Sequence, residues 1–446
     1  MIMKKIFLTL IISSCMIGSN LAQTSKKACK LSNSLYKLWD KGKIDKATEL
    51  SLELYRIDPP MLVERIHNTL AFQIKNDPNQ YRLKYFEKLY NEDNQEINKI
   101  IAPMYLWSKT VNTNNKTVLK SIVKELNSLL KDSSNYNSRA ERYYILILNE
   151  LAEKNSIDNK TRENLIIRII QKLETYSFLV DIPSNRKESK KRAWHRYILA
   201  FCYDYLYTNI DHKEEYLKMA SDYSPDLNDR LYESTYFYDA NILNENGPIL
   251  EFKTKYQKYI ANNNSETETL DLLSEIAFSN PSENNIEALQ ECFVKINSDG
   301  EFKTYWEKYV NGKGKAVPAV TIKFENEELD LTKKSDEWIY IDVWGTWCKP
   351  CCKELPQLQS FYLANQDVSN SKLKIYTLSF GSKNLSNFMS KNKYTFPVSE
   401  IDKKTNNLFE ISAYPTKILI TPSGNYIKIP HGVNWKMYIE NYTLMN

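Results

Sequence analysis

Glycine is scarce in this chain, 10 residues in 446, and proline contributes only 15. With so few turn formers beside abundant Leu, Ile, Lys and Asn and 31 tyrosines, the composition suits helices better than sandwiches or barrels. Histidine is scarcer still: His67, His195, His212 and His431 are scattered, and none forms a Cys/His or His/carboxylate cluster with metal spacing. No glycine-rich phosphate loop and no GxSxG elbow occur, so no cofactor or metal is called for. Charge of one sign is also lacking. Sixty basic against 55 acidic residues leave a formal +5, too weak a field to argue for nucleic acid. Beyond the N-terminus no stretch is apolar enough to span a bilayer.

What is present begins with MIMKKIFLTLIISSCMIGSNLAQ. Lys4 and Lys5, an apolar run from Ile6 to Ile12 and the small residue Ala22 follow the order of a secretory signal, predicted to occupy 1–22. A second reading stays open, because Ile12-Ser13-Ser14-Cys15 resembles a lipoprotein box whose cysteine would carry a lipid anchor. Either way the mature protein is expected outside the cytoplasm, in the periplasm or cell envelope. There disulfides persist, so Cys29, Cys202, Cys292 and Cys352 are candidates for three alternative pairings.

From about Ala28 to Asn311 the pattern is helix after helix with short polar breaks. Leu165, Ile169, Leu173 and Tyr176 fall on one face, and similar stripes recur at 119–130, 143–151, 197–207 and 270–278. The first hairpin places Gly42 at a turn, Ala47 at a close approach and Pro59 after the second helix, offsets resembling a tetratricopeptide repeat. No clean 34-residue period follows, and the segment reads as an irregular array of helical hairpins. The basic run Arg186 to Arg192 reads as a solvated turn and first helical turn rather than a docking patch. Trp39, Trp107 and Trp194 read as packing residues.

Asn311-Gly312-Lys313-Gly314 reads as a linker into a second domain, 312–446, where β-rich runs alternate with helical ones. WIYIDVW, LKIYTLSF and TKILIT are expected strands, 385–393 an intervening helix, Pro422 to Gly424 a hairpin turn before 426–429, and 435–442 a closing helix. The fold class predicted is multidomain: an all-α hairpin array followed by a mixed α/β domain.

The chemistry concentrates in Trp338 to Pro356, WIYIDVWGTWCKPCCKELP, where an apolar strand delivers a CxxC pair to a helix start. Unpaired N–H groups and the helix dipole at such a start favour a thiolate, lowering a thiol from about 8.5 toward about 7 or below. Pro350 suits the first turn. Cys348 is then the attacking sulfur, and Cys351, one turn further in, the resolving one. A CxxC also serves as a zinc half-site or a structural disulfide, but zinc needs two further ligands that the sequence does not supply.

WGTWCKPC after a strand carrying Asp342, followed by Glu354-Leu355-Pro356 and later by Tyr414-Pro415-Thr416, resembles the thioredoxin-fold thiol-disulfide oxidoreductases of the TlpA/ResA type. The resemblance covers less than a third of the chain, from about Val317. It implies a thioredoxin fold for this part. It also implies Cys348 as nucleophile, Cys351 as resolving thiol and a redox-active Cys348–Cys351 disulfide. In the same pattern Asp342 is the buried carboxylate exchanging protons with Cys351, and Glu354 is a carboxylate tuning the thiols. Pro415 matches a cis-proline facing the CxxC, with Tyr414 and Trp347 lining the substrate surface. Lys349 departs from the commoner residues at its place, and Cys352 is additional.

The function expected is an exported oxidoreductase that reduces or rearranges disulfides of extracytoplasmic client proteins, apocytochromes among them, fed by a membrane electron donor. The alternative is a helical protein-binding scaffold whose thioredoxin domain serves mainly for docking.

Overall fold

The computed structural model describes residues 26–131, 140–175, 186–231, 236–244, 250–262, 265–333, 335–366 and 373–444. The signal segment and Cys15 lie outside them. Described residues fall into two compact units: those up to Thr175 with those within Tyr238–Pro248, and those within Tyr176–Phe237 and Ile249–Asn446.

The first unit is helical throughout. Its opening hairpin pairs helices Lys26–Asp40 and Ile44–Ile57, and the turn between them needs glycine. Gly42 has φ +62°, and a Cβ there would lie 2.5 Å from the Tyr81 ring. Ala47 is fully buried, so the second helix can lie close to its neighbours. Pro59 does more than end that helix. It occupies the first turn of the helix Pro59–Arg65, capped by Asp58, which accepts the Met61 N–H at 3.0 Å. Trp39 and Trp107 are buried packing residues, Trp39 edge-on to Tyr85 at 5.6 Å. Arg142 and Asp239, both fully buried, pair at 3.0 Å.

In the second unit the helix Arg186–Asn209 carries Arg192 and Arg196 into a buried cluster. Arg192 donates to Asp226 at 3.1 Å and also to Asp229, while Arg196 Nε donates to Asp229 at 3.0 Å. The basic run thus opens a helix as expected, but its last residue, Arg192, ends in the core instead of in solvent, because two carboxylates compensate the guanidinium.

Helices Glu266–Ser279, Glu283–Ile296 and Phe302–Lys313 lead directly into the α/β part. The expected linker is absent: Gly312 lies within the last helical turn, and strand β1, Lys315–Ala316, follows at once. Asn311 is tied to the sheet, its side chain accepting the Thr421 hydroxyl at 2.6 Å and its carbonyl accepting Asn425 Nδ2 at 2.9 Å. The change of fold near 312 is thus not a break in packing.

The α/β part contains β1, β2 (Thr321–Lys323), β3 (Glu328–Asp330), β4 (Trp338–Trp344), β5 (Leu373–Phe380), β6 (Val398–Ile401), β7 (Thr416–Ile420) and β8 (Asn425–Ile429). Six strands form one sheet in the order β1-β8-β7-β4-β5-β6, while β2 and β3 form a separate hairpin. β4 pairs parallel with β5 and antiparallel with β7. This is a thioredoxin fold with a mixed central sheet. Every residue of β4 is buried, as a strand covered on both faces requires.

Alternation along β4 then decides what faces what. Ile339, Ile341 and Val343 join the core with Ile322, Leu329 and Phe409. Trp338, Tyr340 and Trp344 join the opposite core with Leu355, Leu358 and Phe361 of the helix Lys349–Gln366, and with Trp435 and Tyr438 of the C-terminal helix Trp435–Thr443. Asp342 has the parity of the second set.

That C-terminal helix is fastened to the preceding helices. Tyr442 donates to the Phe278 carbonyl at 2.6 Å and Asn441 Nδ2 to that of Pro281 at 2.6 Å, while the Trp306 indole donates to the Asn441 carbonyl at 3.1 Å.

Candidate active site

The hydrophobic strand β4 ends at Trp344, and the loop Gly345–Cys348 turns the chain into the helix carrying Cys351. Gly345 is required by the crowding there. A Cβ would lie 2.5 Å from Trp347 Nε1 and 2.8 Å from the Phe380 carbonyl oxygen. Trp347 Nε1–H donates to that carbonyl at 2.9 Å, Thr346 N–H donates to Ser382 Oγ at 2.9 Å, and Cys348 N–H donates to the Gly345 carbonyl at 2.9 Å. The loop after β4 is therefore braced against the end of β5.

Cys348 and Cys351 are joined in a disulfide, with Cα atoms 5.3 Å apart. Cys351 N–H points at Cys348 Sγ from 3.3 Å. This is the first-turn donor that stabilises negative charge on the outer sulfur once the bond is reduced. No cluster able to hold a metal occurs among the described residues.

Around this pair Trp347 is 53% exposed. Its ring meets Tyr414 edge-on at 5.1 Å, and Tyr414 stacks on Phe380 at 5.9 Å. Tyr414 donates its hydroxyl to Asn406 Oδ1, and burial pushes that phenol up to about 12. The Tyr414–Pro415 peptide is cis. Trp347 and Tyr414 thus make one aromatic surface.

Behind the pair lies a charged group that sequence reasoning found only in part. Asp342 is 3% exposed, and its Oδ2 accepts the Tyr340 hydroxyl at 3.1 Å and faces Lys417 Nζ at 3.4 Å. The other oxygen, Oδ1, is buried without a hydrogen-bond partner among the described residues. Lys417 lies opposite Asp342 in the β4–β7 register and reaches Glu354 Oε2 at 2.6 Å. Glu354 follows Cys351 by three residues, so the two share a face of the helix. The structure brings Asp342, Glu354 and Cys351 to one side of the sheet, with Lys417 between the carboxylates.

Burial raises the Asp342 carboxyl above its usual range, and the like charge of Glu354 adds to this, while Lys417 and the Tyr340 hydroxyl oppose it. For Lys417 burial works downward, but Asp342 and Glu354 more than offset it and the ammonium is held above its usual value. An acid raised by burial, with one free oxygen and a balancing ammonium, can take up and return a proton.

Cys352 is not in a disulfide. Its thiol lies 3.6 Å from the Thr346 carbonyl, and burial raises it, as befits a packing cysteine. Cys29 and Cys292 are likewise thiols.

A family model described as thioredoxin-like matches residues 336–426. The chain is similar to the sporulation thiol-disulfide oxidoreductase A of Bacillus subtilis, at 35% identity over 138 residues, which are 29% of this chain and 82% of that protein. It is also similar to the thiol-disulfide oxidoreductase ResA of the same organism, at 28% over 136 residues, 29% of this chain and 73% of that one. A solved structure of StoA from Bacillus subtilis aligns at 27% identity and a TM-score of 0.23, covering 27% of this chain and 98% of that one. Through its C-terminal part the chain belongs to the thioredoxin-like family of thiol-disulfide oxidoreductases. Its activity is therefore that of a thiol-disulfide oxidoreductase.

Proposed function

We propose that the chain is an exported reductase or isomerase of disulfides in extracytoplasmic client proteins, with residues 28–311 recruiting or orienting the client and 312–446 carrying out the exchange. The observation that carries this reading is the Cys348–Cys351 disulfide at a helix start, on the same side of the sheet as the buried Asp342 carboxylate. Export is supported by the Lys-apolar-small order of 1–22, with Cys15 as the alternative point of lipid attachment.

In the reduced enzyme the Cys348 thiolate attacks one sulfur of a client disulfide. The client S–S bond breaks, one client thiolate leaves, and a mixed disulfide forms on Cys348. The Cys351 thiol then passes its proton to Asp342 and attacks Cys348 Sγ, releasing the second client thiolate. Two electrons move from the enzyme to the client, and the Cys348–Cys351 disulfide is restored. Return to the dithiol requires a two-electron thiol donor, which for an exported enzyme is membrane-borne. Trp347, Tyr414 and Pro415 form the surface on which an extended client segment rests. Glu354 tunes the thiols through Lys417. Apocytochromes are the class of cysteine-bearing client this reading favours.

Equilibration of the full-length chain against glutathione buffers tests the direction of flow. A reductase is expected to poise at or below about −200 mV, whereas a value near about −120 mV, that of a strong oxidant, contradicts it.

A further inference from the structure

Trp435, the first residue of the C-terminal helix, is buried among the residues that hold Asp342. Its ring stacks on Tyr340 at 5.6 Å with the planes 6° apart, and Lys417 Nζ lies 5.6 Å from its centroid. Among the described residues, Tyr340 and Lys417 are the two side chains that reach Asp342 Oδ2. One side chain therefore touches both partners of the proton-exchanging carboxylate. Phe361 of the redox helix meets the same ring edge-on at 5.3 Å, which fixes its tilt.

The indole is held there at a cost. Trp435 Nε1 is buried without an acceptor among the described residues, and an unsatisfied buried donor costs about 1–3 kcal/mol. A phenylalanine would fill much of this space without that cost. What an indole adds is the most electron-rich face of any side chain, the best partner for a desolvated ammonium. The helix bearing it is fastened by Tyr442, Asn441 and Trp306 to the helices ahead of the sheet. Those helices thereby fix where the indole stands.

We infer that Trp435 is a positioning residue for the resolving half of the exchange, holding the Lys417 ammonium and the Tyr340 hydroxyl against Asp342. The inference rests on the reading that Asp342 takes the proton of Cys351. The titratable groups facing Asp342 are Tyr340 on β4, Lys417 on β7 and Glu354 on the redox helix, where Cys351 precedes Glu354 by three residues on the same face. With the aromatic face removed, the ammonium is held less firmly, the carboxylate is less stabilised as an anion, and Asp342 is ionised and ready to take the Cys351 proton only at higher pH.

The test uses full-length chain reduced with dithiothreitol, desalted and mixed with oxidised glutathione between pH 5 and 9. The rate of release of the second glutathione, which reports resolution by Cys351, is compared for wild type, Trp435→Phe, Trp435→Leu and Asp342→Asn. The acid limb of that rate is expected to move up by about half to one pH unit in Trp435→Leu and by less in Trp435→Phe, while the first-phase attack by Cys348 keeps its profile. Asp342→Asn is expected to abolish the limb. If Trp435→Leu does not fold, the Trp435→Phe shift alone decides. Profiles of the Trp435 variants that superimpose on wild type, while Asp342→Asn still loses the limb, overturn the inference and leave the Asp342 reading standing. A limb that persists in Asp342→Asn overturns both.

Discussion

Asp342 and Lys417 face each other across the antiparallel β4–β7 pair, with Lys417 Nζ 3.4 Å from Asp342 Oδ2 and 2.6 Å from Glu354 Oε2. A single ammonium thus serves two carboxylates of unlike exposure, Asp342 enclosed and Glu354 partly open to water. Removing a charge from this group leaves the others uncompensated, and several consequences can be measured.

Lys417→Met should be strongly destabilising at neutral pH, by about 3 kcal/mol, because it strands a buried carboxylate. The loss should shrink as the pH is lowered through the raised Asp342 value, because the protonated carboxyl no longer needs the ammonium. Urea unfolding of the oxidised chain above and below that value checks this; equal losses on both sides would assign the effect to packing instead.

Asp342→Asn should act in the opposite sense. The native carboxyl is raised, by burial first and by Glu354 second. Its contribution to stability is therefore full in acid and is lost as pH rises through the folded value. The amide variant carries no such penalty, so its stability relative to wild type should increase as pH rises from below the unfolded carboxylate value of about 3.9 to pH 8. Urea midpoints that move the other way would show that Asp342 is not raised.

Gly345→Ala should push Trp347 off the Phe380 carbonyl, since the added Cβ would meet both the indole nitrogen and backbone oxygen inside 3 Å. A cost of about 1–3 kcal/mol is expected from the overpacking. The fluorescence of exposed Trp347 should change, and exchange with a peptide disulfide should slow more than exchange with glutathione. Equal slowing would remove the aromatic surface from client recognition.

Gly42→Ala should lower the stability of the first unit by about 1–3 kcal/mol, since φ +62° and the Tyr81 ring both oppose a side chain there. Exchange at Cys348 with glutathione should be unchanged. Thermal unfolding beside a glutathione assay separates the two effects.

Much of this site was legible in the chain because its residues sit at fixed short spacings. Cys348, Cys351 and Glu354 belong to one helical run, Asp342 lies six residues earlier on an apolar strand, and Tyr414-Pro415 precedes another. Lys417 was passed over inside TKILIT, read as a buried strand. A lysine in so apolar a run is itself a signal that an anion waits in the core, but which anion depends on the β4–β7 register, a non-local property. Trp435 was legible only as part of a terminal helix for the same reason. The strands missed, β1, β2, β3 and β6, are two to four residues long and at least partly exposed, too short for a period to declare itself. The two glycines near 312 suggested a linker, yet the Tyr- and Trp-rich helix before them carries through Gly312 and is tied by Asn311 to the β7–β8 turn.

The most direct measurement is trapping. Full-length Cys351→Ala, reduced and mixed with a disulfide-containing protein such as insulin, should accumulate a mixed disulfide located by mass spectrometry on Cys348, while wild type releases reduced product without accumulating it. Absence of the adduct, or its appearance on Cys352 instead of Cys348, would contradict the division of labour between the two sulfurs on which the account depends.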